Sequence, residues 1–126
     1  MITVTVKNLG KFSFDENKIK EVIIKTLEKN NINNAVVDVA IAGREFMDDL
    51  NAKYYKDEVY EHPIFTFPES IDSNFIFPPD GKTYLGEMVI NYGMAIETAK
   101  EQNKLTDDVI SELAEHGSLH LVGIHH

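Results

Sequence analysis

Residues 35–42 read AVVDVAIA, and this run decides the class of fold that the chain adopts. A short apolar run rich in β-branched residues predicts a strand, and we expect this one to end at Gly43. The segments on both sides predict helices, because their apolar residues recur at helical spacing. Before the strand these residues are Ile19, Val22, Ile23 and Leu27, and after it Phe46, Leu50 and Tyr54. A strand between two such helices is typical of an α/β domain.

The same reading of the segments on either side of residues 35–42 predicts the element order β-α-β-α-β-β-α-α. The last helix is expected to start at Thr106 as its N-cap and to stop at Gly123. The predicted strands are Ile2–Val6, Ala35–Ala42, Ile64–Phe67 and Leu85–Asn91, and the predicted helices are Asp15–Asn30, Arg44–Tyr55, Gly93–Asn103 and Thr106–Val122. We therefore expect one α/β domain over residues 1–126, with helices packed on a small mixed sheet.

The composition indicates a small acidic protein. A chain of 126 residues with 43% apolar residues can bury a core, and without cysteine its metal ligands must be histidine, carboxylate or water. The N-terminus MITVTVKNLG does not have the pattern of a signal peptide, and no apolar run approaches the roughly 20 residues that span a bilayer, so we expect a cytoplasmic protein. The net charge of −9 repels polyanions. A nucleic-acid partner would therefore need a local cationic centre or a bound metal.

Four of the five histidines lie in HGSLHLVGIHH, residues 116–126. His116 and His120 are four residues apart, so both project from one face of the last helix. Gly123 stops that helix and lets the chain turn back, so that His126 can reach the same point. Three nitrogen donors with an open position are the ligand set of catalytic zinc sites. A closed structural metal site, surface imidazoles and a tag remnant at His125 and His126 are the alternatives.

The same stretch resembles the signature H-G-x-L-H-L-x-G-Y-D-H of the YbeY family of metal-dependent endoribonucleases, which take part in ribosomal RNA maturation and ribosome quality control. Two weaker blocks, IFTFP at 64–68 and LGEMVI at 85–90, are similar to the V-L-S-F-P and L-G-D-I-x-I strands of the family. The resemblance implies one Zn²⁺ ion held by His116, His120 and His126. It also implies cleavage of single-stranded RNA, with ribosomal RNA as the substrate and ribosomal proteins as partners.

The sequence departs from the family pattern at several positions. The family aspartate before the last histidine is His125 here, which makes His125 an alternative ligand. The family arginine after the second helix aligns with Tyr55, which cannot bind a phosphate ionically. Glu87 replaces a strand aspartate, and Glu115 stands where the family has an apolar residue. Members of the family continue beyond the third histidine, so a missing C-terminal segment is expected.

Candidate catalytic groups and RNA contacts come from several elements. Glu112 lies one turn before His116 and Glu87 could approach from its strand, so either carboxylate is a candidate catalytic residue. Ser118 points away from the two imidazoles and is expected on the helix surface. The candidate substrate contacts are Lys53, Tyr55 and Lys56, with Lys82 as a further phosphate contact.

Aromatic residues gather around the central loop. Stacking on single-stranded bases is one role for them, but core packing is expected for most, because two of them lie on a predicted strand. These residues are Tyr54, Tyr55, Tyr60, Phe65, Phe67, Phe75 and Phe77.

Three functions of different classes follow from the sequence. The first is a metal-dependent endoribonuclease acting on single-stranded RNA. The second is a metal-dependent hydrolase of a peptide or small molecule, which suits the acidic surface better. Against a peptidase, Gly117 stands where the general-base glutamate of H-E-x-x-H metalloproteases would be. The third is a non-catalytic relative that binds a metal ion.

Overall fold

The computed structural model describes residues 1–54, 62–68 and 83–123. Their helices and strands follow one another as β1 (Ile2–Asn8), α1 (Glu16–Lys29), β2 (Ala35–Ala42), α2 (Arg44–Tyr54), β3 (Ile64–Pro68), β4 (Thr83–Asn91), α3 (Tyr92–Gln102) and α4 (Thr106–Leu121). This order is the predicted one, and the α/β fold class is confirmed. None of the described helices is long and apolar enough to span a bilayer.

The four described strands form one mixed sheet in the order β1-β2-β4-β3. Strands β1, β2 and β4 run parallel, and β3 pairs antiparallel with β4. The register between β2 and β4 shifts at Val36 and Val37, where Gly86 adopts a φ of 133° that favours glycine. Strand β3 therefore forms one edge of the described sheet, beside the C-terminal half of β4.

Helices α1, α3 and α4 cover one face of the sheet, and α2 covers part of the other. The two faces carry separate apolar clusters because side chains alternate along each strand. The larger cluster is built from Ile19, Ile23 and Leu27 of α1, Val37, Val39, Ile41, Met88 and Ile90 of the sheet, and Ala95, Ala99, Val109, Ile110, Ala114 and Leu121 of α3 and α4. The smaller cluster consists of Ala40, Ala42, Met47, Phe65 and Val89.

Two helices on the larger cluster begin at side-chain caps. Asp15 accepts a hydrogen bond from the backbone N–H of Lys18 at 3.1 Å, and Asn91 accepts one from Met94 at 3.1 Å. A cap of this kind satisfies one of the backbone donors that the first turn leaves unpaired. The starts of α1 and α3 are therefore fixed by local chemistry.

Helix α4 starts without a side-chain cap. Its N-cap is Leu105, so the prediction of Thr106 as the N-cap was wrong by one residue. The first turn is held instead by α1, because Asp107 Oδ1 accepts the backbone N–H of the residue that caps α1, at 3.0 Å. Lys18 also pairs with Asp108, and this hydrogen bond raises the pKa of the ammonium group above its ordinary value. These contacts fix the first turn of α4 against α1 without capping it, and sequence spacing did not reveal them.

Helix α2 has the predicted position but presents a different face to the sheet. Phe46 and Tyr54 are 43% and 51% exposed, whereas Met47 is buried and Leu50 packs against the same cluster. The inward face therefore follows the i, i+3 step from Met47 to Leu50. The i, i+4 spacing of the larger residues identified the helix but not its buried side.

Candidate functional site

The last helix carries two imidazoles on one face. His116 and His120 are one turn apart, with their ring centroids separated by 4.3 Å and their planes inclined by 50°. His116 is exposed and His120 is half-buried, and the Nε2 atom of His120 is enclosed by protein. The structure therefore brings together these two of the predicted ligands.

Gly117, between the two histidines in sequence, lets α4 lie directly on the sheet. A Cβ atom built on this buried glycine would lie 2.9 Å from Ile64 Cδ1 and 3.1 Å from Met88 Sδ. Such approaches are shorter than van der Waals contact, so the ends of the Ile64 and Met88 side chains would have to shift to admit a Cβ atom. Without a side chain at Gly117, α4 packs closely on β3 and β4, with His116 and His120 beside β3.

A cleft of about 460 Å³ lies between α4 and β3. Thr66 belongs to the α4 side of β3, because it alternates with Phe65 and Phe67, which pack toward α2. The described residues that line the cleft are Pro63, Ile64, Phe65 and Thr66 on one wall and Leu113, His116 and His120 on the other. Apart from the two imidazoles, none of them is ionisable, so the described walls combine apolar surface with neutral polar groups.

Glu87 lies on the opposite side of the sheet from these imidazoles. Its neighbour Met88 packs beneath α4, so alternation along β4 directs Glu87 toward the α2 side. Its register partner on β3 is Phe67, which also belongs to that side. The expectation that Glu87 approaches the histidines from its strand is therefore wrong for the described arrangement.

Glu112 is directed toward another partner. Its Oε1 atom accepts a hydrogen bond from Lys104 Nζ at 2.7 Å, and its side chain is 56% exposed. The ion pair joins the first half of α4 to the segment before it. The described contacts therefore give Glu112 a role at the surface and do not bring its carboxylate to His116.

The candidate substrate contacts are placed only in part. Lys53 is exposed at the end of α2, with its Nζ atom 5.4 Å from the centroid of the Tyr54 ring. Tyr54 in turn lies 5.2 Å from Phe67, ring centroid to ring centroid. These groups belong to the α2 side of the sheet. Outside the described residues lie Tyr55, Lys56, Tyr60, Phe75, Phe77, Lys82, His125 and His126.

Ser118 is not on the helix surface as predicted. It is fully buried, and its hydroxyl donates a hydrogen bond to the carbonyl oxygen of Ala114 at 2.8 Å. A serine that bonds back to its own helix needs no other partner, so it can face the core. The prediction was wrong because it considered the direction of the side chain relative to the histidines and not relative to α1 and the sheet.

The donors at the cleft fit part of a metal site. Two imidazoles on one helical face can each direct a nitrogen at a single ion, which zinc binds at about 2.0–2.1 Å. Among residues 1–54, 62–68 and 83–123, no group of three or more His, Cys, Asp or Glu side chains is gathered for a metal. A third side-chain ligand would have to come from beyond these ranges, where both His125 and His126 lie.

Sequence reasoning missed one polar side chain of the cleft. IFTFP was identified as a strand, but Thr66 was not singled out as a candidate site residue. The signal was available in the alternation itself, because two phenylalanines on one face leave the threonine on the other. Which face meets α4 is decided by the packing of Gly117 on Ile64, and that contact is not visible in the sequence.

Comparison with known proteins gives consistent matches. Residues 5–126 match the family described as Endoribonuclease YbeY. The Endoribonuclease YbeY of Dehalococcoides mccartyi is 31% identical over 116 residues, which cover 86% of this chain and 67% of that protein. The Endoribonuclease YbeY of Francisella philomiragia is 33% identical over 106 residues, covering 79% of this chain and 61% of that protein. The match thus spans about two thirds of the length of these relatives.

A solved structure agrees with the fold. The solution structure of a Thermotoga maritima protein has a TM-score of 0.57 against this chain and is 24% identical in sequence. The match covers 98% of this chain and 73% of that one. The likeness at this level of identity concerns the arrangement of helices and strands.

Proposed function

The chain belongs to the Endoribonuclease YbeY family, and from that premise we propose that its chemistry takes place at the cleft between β3 and α4. Its function is that of the family, an endoribonuclease that takes part in the maturation of ribosomal RNA. We assign His116, His120 and His126 as ligands of one Zn²⁺ ion, with His125 as the alternative to His126. Single-stranded ribosomal RNA is the proposed substrate, and ribosomal proteins are the proposed partners.

The observation that carries this proposal is the placement of His116 and His120 at the cleft. The two rings lie 4.3 Å apart on the cleft-facing side of α4. That helix is anchored in the core by Ala114 and Leu121, so the imidazoles stand on a rigid element. Ligands fixed in this way need little rearrangement to bind an ion.

In the proposed cleavage reaction the bound ion and the protein side chains would have different roles. When bound, the ion would act as a Lewis acid toward an oxygen of the phosphodiester. The imidazoles fix its position, and the apolar groups of Leu113 and Ile64 give a nucleoside a surface against which to lie. The described carboxylates Glu87 and Glu112 stand apart from the imidazoles, so we assign no proton transfer to them.

Because the protein is acidic, binding of RNA at the cleft depends on a local positive charge. A chain with a net charge of −9 repels RNA at long range. A divalent ion held by His116 and His120 would supply positive charge at the cleft and so favour a phosphate there. Lys53, at the end of α2, is the described candidate for a second contact with the RNA backbone, and Tyr55 and Lys56 are candidates beyond it.

The test compares one ligand with a neighbouring residue of the same helix. We expect the purified protein to contain about one equivalent of zinc by elemental analysis and to cleave single-stranded RNA in a chelator-sensitive way. The variant His120→Ala should lose the metal and slow cleavage by roughly 100-fold or more. Glu115→Gln is the control, because Glu115 lies at the groove between α1 and α4 and should leave both properties unchanged.

The outcomes distinguish the competing functions. Cleavage of RNA by His120→Ala at the wild-type rate would refute the proposed site. The net charge of −9, which repels polyanions, favours hydrolysis of a peptide or small molecule as the second candidate. Turnover of a peptide or ester with no turnover of RNA would establish that candidate, and bound metal without turnover of any of them would establish a non-catalytic relative.

A further inference from the structure

We propose that the hydroxyl of Thr66 binds the ribose 2′-hydroxyl of a nucleotide in the cleft and thereby favours RNA over DNA. The proposal rests on the proposed function, because it places single-stranded RNA between β3 and α4. It adds a residue that selects the sugar to a site whose other described polar side chains are imidazoles.

Thr66 faces the same space as the two histidines. On β3 it pairs with Met88 of β4, and Met88 lies beneath Gly117 of α4. The neighbours of Thr66 in the strand, Phe65 and Phe67, pack toward α2, so Thr66 projects toward α4. The threonine and the imidazoles therefore stand on opposite walls of one cleft.

The hydroxyl of Thr66 is available to a ligand. It is the one side-chain hydroxyl among the described residues that line the cleft. Within the described ranges its Oγ1 atom makes no hydrogen bond, and the residue is half-buried, so the atom is not sealed in the core. A strand threonine with this placement can donate a hydrogen bond to a ligand and accept one from it.

The chemistry of the described walls favours a sugar contact over a phosphate contact. Phosphates are held by cationic side chains and backbone N–H groups, and no lysine or arginine is among the described lining residues. A ribose 2′-hydroxyl is neutral and can both donate and accept a hydrogen bond. The threonine hydroxyl can do the same, so either group can serve as donor to the other. Beside it, Ile64 and Leu113 offer apolar surface to the base and the sugar ring.

The arrangement also gives a direction to the bound strand. With a cation held by His116 and His120, the phosphodiester would lie at the imidazole wall. The sugar attached to it would then face β3, where Thr66 lies. A single hydrogen bond of this kind contributes about 0.5–1.5 kcal/mol, which corresponds to roughly a 2- to 12-fold preference in binding.

The experiment changes the hydroxyl on each partner separately. Thr66→Val removes the protein hydroxyl while keeping a β-branched side chain of similar shape, and Thr66→Ser keeps the hydroxyl. The probes are oligouridylate and oligodeoxyuridylate of equal length, which differ at the 2′ position alone. Fluorescence anisotropy measures their binding to the metal-free protein. Inhibition constants against cleavage of a labelled RNA measure it for the metal-loaded protein.

We expect the wild type and Thr66→Ser to bind the ribose oligomer several-fold more tightly than the deoxyribose oligomer. Thr66→Val should bind the two equally, with the loss confined to the ribose oligomer. Metal content and the midpoint of urea unfolding should stay at wild-type values in both variants, which separates a lost contact from a damaged fold.

Several results would overturn the assignment. A ribose preference that persists in Thr66→Val, or one that is absent from the wild type, would exclude a contact with the 2′-hydroxyl. Equal weakening of both oligomers would assign the hydroxyl to a group that RNA and DNA share. If the wild type cleaves RNA while one of these results is obtained, only this inference fails. If the wild type neither binds nor cleaves RNA, the proposed function fails with it.

Discussion

Gly117 and Ile64 are in close contact across the interface of α4 and β3, since a Cβ on the glycine would lie 2.9 Å from Ile64 Cδ1. Gly117→Ala should therefore lower the free energy of unfolding by about 1 kcal/mol, as overpacking outweighs the better helix propensity of alanine. The prediction is checked by urea denaturation of the variant beside the wild type.

The cause of that loss can be isolated with Ile64→Val, which removes the Cδ1 atom. In this background the cost of Gly117→Ala should be smaller by about 1 kcal/mol, because residues in contact are energetically coupled. Gly117→Ala should also slow RNA cleavage, because it disturbs the packing beside His116 and His120, and the double variant should recover part of that loss. Strictly additive changes in the free energy of unfolding would show that the contact does not limit how closely α4 approaches β3.

Substitutions of Ser118 show how large a side chain the buried side of α4 accepts. Ser118→Ala should change the free energy of unfolding by less than about 0.5 kcal/mol, because its hydroxyl bonds to its own helix and alanine favours helix. Ser118→Leu should cost about 1–3 kcal/mol, since the site is fully buried and has no space for a larger side chain. Thermal or urea unfolding of both variants measures the difference, and equal stabilities would contradict the burial of Ser118.

Asn91 joins the end of β4 to the start of α3. Its Oδ1 atom accepts the N–H of Met94, and its Nδ2 atom donates to the carbonyl oxygen of His62 at 3.3 Å. Asn91→Ala should lower the free energy of unfolding by about 1–2 kcal/mol, because it removes a helix cap. Asn91→Ser keeps an acceptor for the cap and should cost less. A serine variant as unstable as the alanine variant would show that the cap is not what stabilises this position.

Asn103 ends α3 in the left-handed region, with φ 55° and ψ 48°. Asn103→Gly should stay within about 0.5 kcal/mol of the wild type, because glycine adopts this conformation without steric cost. Asn103→Ala should cost about 1 kcal/mol, since a Cβ atom is disfavoured there. The comparison needs only the unfolding midpoints of two variants, and a stabilising alanine would contradict the conformation.

A bound metal ion should stabilise the folded chain, because α4 carries two of the proposed ligands, His116 and His120, and part of the core. At a free zinc concentration about 100 times the dissociation constant, the gain is about 2.7 kcal/mol. We expect the melting temperature to rise on adding zinc to the chelated protein and His120→Ala to lose most of that rise. An equal rise in the variant would place the ion elsewhere.

Local pattern was enough to predict the helices and strands, while the contacts between them were not predictable from it. The run AVVDVAIA and the spacing of Ile19, Ile23 and Leu27 are patterns of apolar residues that predict a buried strand and a buried helix face. All three of those helix residues are buried. The start of α4 and the inward face of α2 depend on neighbouring elements. For that reason the sequence placed the cap at Thr106 and left Met47 unmentioned.

The candidate site was likewise predictable where it depends on local spacing and not where it depends on contacts between elements. The pairing of His116 with His120 follows from helical geometry, which a spacing of four residues specifies. The positions of Glu87 and Thr66 depend on which face of the sheet meets α4. The packing at Gly117 decides that question by bringing residues far apart in sequence into contact.

The central position of β4 has a consequence for the nascent chain. This strand lies between β2 and β3, yet it is the last described strand to be synthesised. A nascent chain that contains only β1, α1 and β2 therefore leaves exposed the part of α1 that packs on α4 in the finished fold, and exposed apolar surface promotes aggregation. Helix α4 covers that surface and carries His116 and His120, so the same packing step that completes the core also places the two imidazoles at the cleft.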